Sequence, residues 1–156
     1  MTVGLLKQLL PDRPVRMRVL AGPFRGARVV MNPRVSIRKV LGLYEHELNR
    51  WIERALPRVT RVLDVGANDG YFTFGCAAAF RRLGMRGSIT AFEAQLRHVE
   101  ELRASVAAQP TADISIDIVH GLVGRHSGGD RLALDDWPAA SREHTLIKLD
   151  VEGAED

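Results

Sequence analysis

Asp64 and Glu93 each stand at or near the end of a short apolar run: Arg61-Val62-Leu63-Asp64-Val65-Gly66-Ala67-Asn68-Asp69-Gly70 and Ser88-Ile89-Thr90-Ala91-Phe92-Glu93. An ionised carboxylate only accepts hydrogen bonds, which suits it to ribose hydroxyls or to a cation. Val62, Leu63 and Val65 suit a buried central strand, and Gly66 and Gly70 let the chain turn sharply into a helix and approach a ligand closely. In an open α/β sheet, ligands sit there, beyond the carboxyl ends of the strands. Alone, either carboxylate reads as a helix N-cap or a solvated loop charge. Two of them at successive strand ends, one helix and a return strand apart, favour a shared binding role.

A dinucleotide fingerprint, G-x-G-x-x-G, needs its middle glycine so that a diphosphate can touch the backbone. Gly66-Ala67-Asn68-Asp69-Gly70 lacks it, and Asp69 sets a negative charge beside the helix N-terminus where a phosphate would go. S-adenosyl-L-methionine has no phosphate. It brings an ammonium, a carboxylate and a sulfonium, so Asp64 and Asp69 can face cationic groups, loop amides the carboxylate, and Glu93 both ribose hydroxyls. The cofactor-binding set is then Asp64, Glu93 and the loop residues Gly66, Asn68, Asp69 and Gly70.

With these pieces in place the chain resembles the FkbM family of S-adenosylmethionine-dependent methyltransferases. The resemblance rests on Gly42-Leu43-Tyr44-Glu45, on Val62 to Gly70, on Ala91-Phe92-Glu93, and on Leu146-Ile147-Lys148-Leu149-Asp150-Val151-Glu152-Gly153-Ala154-Glu155, so it covers the chain from about residue 40 onward. The last run is the most specific of the four. Two departures stand out: Ala94 follows Glu93 where the family usually has proline, and the family continues past the position of Asp156 with more helices and strands. The resemblance implies a Rossmann-like class I methyltransferase fold. It also implies transfer of the sulfonium methyl to a hydroxyl of a sugar, polyketide or related metabolite, that is, a small-molecule or glycan acceptor. Tyr44 and Glu45 would lie near the cofactor or acceptor; read without the family, they are a hydrophobic contact and a first-turn carboxylate favoured by the helix dipole.

In-line methyl displacement asks the protein for positioning and for removal of a hydroxyl proton. Asp150 and Glu152, at the end of the last strand, are the first candidates for that base, with His120 and Glu45 behind them. The alternative is that Glu152, Gly153 and Glu155 open a helix whose dipole favours acidic residues. Two rival classes stay open: a nucleotide-dependent oxidoreductase, and a non-catalytic or truncated cofactor-binding module.

The elements that must position these residues follow from periodicity. Val15, Met17 and Val19 alternate with Arg16 and Arg18, and after Gly22, Pro23 and Gly26 the stretch from Ala27 to Met31 reads as a hairpin partner. Tyr44, Leu48, Trp51, Ile52 and Ala55 fall at helical spacing, predicting a helix over 43–56 with Trp51 in the core. Helices are expected over 72–83 and 95–108, and strands at Ile114-Ile116-Ile118 and over 145–151. A mobile glycine-rich loop is expected over 120–130. The expected fold is α/β, an incomplete parallel sheet of order 3-2-1-4, with residues 1–60 as an N-terminal hairpin-and-helix extension and 61–156 as the cofactor-binding domain. Its fourth strand, apolar on both faces, would be an exposed edge open to self-association.

Composition is that of an ordinary globular chain, with 46% hydrophobic and 26% charged residues. The single cysteine, Cys76, rules out an internal disulfide framework, and no Cys/His cluster has zinc-ligand spacing. No apolar run reaches membrane-spanning length and no export signal is legible, so a cytoplasmic location is expected. The pI near 9.5 owes much to Arg13, Arg16, Arg18, Arg25, Arg28, Arg34 and Arg38 against Asp12 alone. With an aromatic content of 6%, a nucleic-acid partner is not expected, and a solvated face is the simpler reading.

Overall fold

The computed structural model describes residues 10–110, 113–137 and 144–150. Residues 1–9 and the residues from Val151 onward, Glu152 among them, lie outside the described residues.

The alternation at the start of the chain forms the expected antiparallel hairpin, β1 (Val15–Arg18) against β2 (Arg28–Met31), with Val15 opposite Met31 and Arg18 opposite Arg28. Its inner face is part of the core: Val29 and Met31 are buried with Val19, Phe24 and Ala27. Helix α1 (Pro33–Val40), absent from the expectations above, follows directly. Its start is encoded locally: the Asn32 side chain accepts from the Arg34 N–H at 3.0 Å, and Pro33 supplies a preset φ at the first turn.

The helix expected over 43–56 is broken up. Glu45 sits in the left-handed region at φ 47°, a 3-10 turn covers His46–Leu48, and α2 runs only from Asn49 to Ala55 before a second 3-10 turn at Leu56–Arg58. A left-handed residue cannot continue a right-handed helix, so the long helix is excluded. Ile52 and Leu56 form the buried stripe, whereas Trp51, about 100° around the helix, is 57% exposed, contrary to its expected core position.

Four strands make one parallel sheet: β3 (Arg61–Val65), β4 (Gly87–Glu93), β5 (Ile114–His120) and, after the short β6 (Leu122–Val123) and β7 (Arg131–Leu132), β8 (Thr145–Leu149). Their order is β5-β4-β3-β8, matching the expected 3-2-1-4 arrangement. Helix α3 (Tyr71–Leu83) connects β3 to β4, and α4 (Leu96–Ala107) connects β4 to β5. The small residues of α3 do what their size allows. Cys76, Ala77 and Ala79 are wholly buried, and Gly75 admits the Phe24 ring so closely that an added Cβ would sit 2.4 Å from its Cγ.

Within residues 120–130, Leu122–Val123 forms a short strand, β6. β6 and β7 pair in parallel, and the Gly121 N–H donates to the Glu93 carbonyl at 3.0 Å, tying this segment to the end of β4. β5 has the expected alternation of an edge strand. β8 lies at the other edge among the described residues, with Ile147 and Leu149 exposed rather than covered on both faces. Among the described residues no helix is long and apolar enough to cross a membrane.

Candidate functional site

The carboxyl ends of β3, β4 and β8 open onto two adjoining clefts. The smaller, of about 150 Å³, is lined by Glu93, Gln95, His98, Leu122 and Val123 with Phe92 at its base. The larger, of about 300 Å³, is lined by Lys39, Tyr44, Glu45, Trp51, Asp69 and Lys148 among others. Gly66, Asn68 and Asp150 line both, so the clefts meet over the glycine loop.

Glu93 ends β4 with its side chain only 8% exposed. One carboxylate oxygen accepts from the Asn68 N–H at 2.8 Å and the other from the Gln95 N–H at 2.9 Å, so the group is oriented by backbone on both sides. Each oxygen keeps a further lone pair for a donor in the cleft. Asn68 reaches this position through a left-handed backbone, φ 49°, which asparagine tolerates better than most residues. His98, from the first turn of α4, brings Nδ1 to 3.9 Å of Glu93; the sequence reading passed over it.

Most of the loop amides are already committed. Gly66 and Ala67 N–H donate to the Phe92 carbonyl, Asn68 to Glu93, Gly70 to the Ala67 carbonyl and Tyr71 to the Asp69 carboxylate. Such a loop has no cradle of free amides for a diphosphate, in line with the missing middle glycine. Of the amides expected to face a ligand carboxylate, these bonds leave the Asp69 N–H for that part.

Asp69 instead meets Lys39 Nζ at 2.6 Å. That ammonium also lies 5.1 Å from the centre of the Tyr44 ring and 5.5 Å from that of Tyr71, within cation–π range of both. Burial first, then Asp69, pushes the Tyr71 hydroxyl up to about 12, and burial followed by Glu45 raises that of Tyr44. Both phenols therefore remain hydrogen-bond donors near neutral pH rather than bases. Lys39 was missed because α1 was missed, although Asn32-Pro33 is a legible helix start.

Asp64 lies beneath the loop, fully buried, and lines neither cleft. Its Oδ2 accepts from the Thr73 hydroxyl at 2.6 Å, and Lys148 Nζ stands 3.3 Å from Oδ1. Burial raises its carboxyl above the ordinary range, with Lys148 and Thr73 pulling the other way. Gly70 is buried as well: at φ 77° it caps α3, and a Cβ there would meet the Phe74 ring at 2.5 Å and Leu102 at 2.6 Å. Both residues shape the loop from behind.

Lys148 also donates to the Gly66 carbonyl at 2.9 Å and pairs with Asp150 at 3.3 Å, as the two-residue period of the strand allows. Asp150, half exposed where the clefts meet, is the described carboxylate best placed to take a proton from a group in either one. His120 is turned away, with Nε2 3.1 Å from the Ala94 carbonyl. Glu45 stands on the wall of the larger cleft, and Glu152 lies outside the described residues. No protein-family model matches the chain, and neither a curated protein nor a solved structure matches it.

Proposed function

We propose that this chain is an S-adenosyl-L-methionine-dependent methyltransferase of Rossmann-like, class I architecture, similar to the FkbM family, that methylates a hydroxyl of a small-molecule or glycan acceptor. The observation that carries the reading is Glu93: an acceptor-only group, fixed by two backbone N–H groups at the end of the second parallel strand, with lone pairs left toward a cleft. That is the chemistry a ribose diol needs. The committed loop amides weigh against a dinucleotide.

In this reading the adenosine half occupies the smaller cleft. The amino-acid half lies over Gly66 and Asn68, where the Lys39–Asp69 pair offers a cation and an anion to a zwitterion. The cofactor supplies an electrophilic methyl group; the chain orients the acceptor in the larger cleft and removes its proton, Asp150 being the base we assign.

Calorimetric titration with S-adenosyl-L-methionine, and separately with NAD, tests the assignment. Hydrogen bonds to a charged group are worth about 1.5 to 3 kcal/mol each, so Glu93→Ala, losing one or two, is expected to weaken binding by roughly ten-fold to about 20,000-fold. Glu93→Gln, which keeps one acceptor oxygen, is expected to lose less. Because Glu93 also holds the loop, the 2′-deoxy cofactor analogue separates the two effects: it should bind the wild type poorly and be penalised no further in Glu93→Ala. Tighter binding of NAD, or equal binding of the natural and deoxy cofactors by the wild type, overturns the reading.

A further inference from the structure

Six arginines from three parts of the chain meet on one face, away from both clefts. Arg16 and Arg18 point outward from β1, Arg28 from β2, Arg25 lies in the hairpin turn, and Arg81 and Arg82 belong to the last turn of α3. Arg18, Arg25, Arg81 and Arg82 line a single cleft of about 350 Å³ to which no carboxylate contributes. Among the described residues none of the six is within ion-pair distance of an acid; Glu53, acting on Arg82 from further off, is the acidic influence on the group.

This arrangement costs energy in the free protein. Arg18 and Arg28 are directly opposite each other across the hairpin, and like charges so placed destabilise a strand pair. Arg28 in turn depresses the Arg81 guanidinium, and Arg25 that of Arg82, in each case after burial. Arg82 is nevertheless fixed: its two terminal nitrogens donate to the carbonyls of Arg25 and Pro23 at 3.1 and 2.8 Å. Guanidinium groups held against their mutual repulsion, around a cleft empty of counter-charge, suit phosphate oxyanions.

The partner's form is indicated by what surrounds the arginines. Leu20, 64% exposed, lines the same cleft, and Val30, 40% exposed, lies opposite Arg16 on the outer hairpin face. Aliphatic side chains among basic ones fit the headgroup region of a bilayer. Phe24, the aromatic residue in the hairpin turn, is buried, so the turn offers no ring on which a nucleobase could stack. We propose that this face docks the protein on an anionic phospholipid surface, with lipid phosphates entering the arginine cleft. α3 starts at the glycine loop and ends at Arg81 and Arg82, so a protein docked in this way keeps both clefts directed away from the lipid.

Co-sedimentation of the full chain with vesicles tests this, using phosphatidylcholine alone and phosphatidylcholine mixed with phosphatidylglycerol. Binding is expected only to the mixed vesicles, falling as salt rises. An arginine near an anionic surface contributes about five-fold in partitioning, so Arg18→Gln/Arg28→Gln should weaken binding about 30-fold while melting no lower than the wild type, since a repulsion is removed. Arg16→Gln/Arg25→Gln is a second, independent pair on the same exposed face, and Arg97→Gln on α4 should change nothing. Equal binding to both vesicle types, no binding to either, full binding by both double variants, or tighter binding of a single-stranded RNA at the same salt would each overturn the proposal.

Discussion

Lys148 Nζ lies 3.3 Å from the buried Asp64 Oδ1 while donating to the Gly66 carbonyl at 2.9 Å, so one ammonium links the strand beneath the glycine loop to the loop itself. Lys148→Met leaves the fully buried Asp64 carboxyl without its cation. Breaking a buried pair from one side costs about 3 kcal/mol or more, so this variant should unfold at distinctly lower urea. Asp64→Asn/Lys148→Met, which leaves Thr73 a partner and no charge, should recover much of the loss. Urea titrations of the two variants decide it, and equal midpoints would remove Lys148 from the support of the loop.

The same pair predicts a pH dependence. The Asp64 carboxyl is raised above its ordinary value of 3.8, mainly by burial, so the folded chain holds this proton more tightly than the unfolded one. Its contribution to stability is therefore fully present below 3.8 and is lost as pH rises through the folded-state value. The stability difference between wild type and Asp64→Asn should fall over that window and level off above it. In Lys148→Met, with a lowering influence gone, the fall should extend to higher pH. Urea midpoints of the three proteins across that pH range check the sign.

The sheet order and the glycine loop were legible because their signals are local and periodic: Val62-Leu63-Asp64-Val65-Gly66, a helix of small residues, then Ala91-Phe92-Glu93 at the right remove. The region over 33–56 was not. Lys39 faces Asp69 across thirty positions, a contact no periodicity encodes, and Glu45 adopts a left-handed backbone that its residue type does not favour. Trp51 was misplaced for the same reason, since a spacing rule applied across that break counts Tyr44 and Trp51 onto one face of a helix that does not exist. The role of Asp64 was hidden too, because nothing in its neighbours tells a carboxylate beneath a loop from one above it.

Gly75→Ala sets helix propensity against packing. Alanine in a helix interior gains about 1 kcal/mol over glycine, but here its Cβ would lie 2.4 to 2.8 Å from the ring atoms Cγ, Cδ1 and Cδ2 of Phe24, itself 3% exposed. The root of a buried ring cannot swing aside, and overpacking costs about 1 to 3 kcal/mol. The variant is expected to be net destabilised, and the same substitution to be tolerated in a Phe24→Ala background, where those three atoms are gone. Thermal melts of the single and double variants test this coupling.

Lys39→Met tests whether the Lys39–Asp69 pair receives the zwitterionic end of the proposed cofactor. A charge-assisted hydrogen bond of about 1.5 to 3 kcal/mol corresponds to a loss of roughly ten-fold to a hundred-fold in S-adenosyl-L-methionine affinity. Adenosine, lacking the amino-acid half, should bind the variant and the wild type alike. If calorimetry shows adenosine weakened as much as the whole cofactor, Lys39 acts through the shape of the loop and not through the ligand's charge.

Asp150→Asn separates base catalysis from binding. Asp150 stands where the two clefts meet, 3.3 Å from the Lys148 ammonium, which holds it in place without covering it. A positioned general base contributes about 10² to 10⁴ in rate. Asparagine keeps the shape and an acceptor oxygen, so the cofactor should bind Asp150→Asn nearly as well as wild type, while kcat toward a hydroxyl acceptor that the wild type methylates falls by about that factor. Raising pH should restore part of the lost rate, because a hydroxyl ionised in solution needs no base. Transfer of labelled methyl from S-adenosyl-L-methionine, followed against pH in both proteins, reads all three effects; an unchanged kcat would move the base away from Asp150.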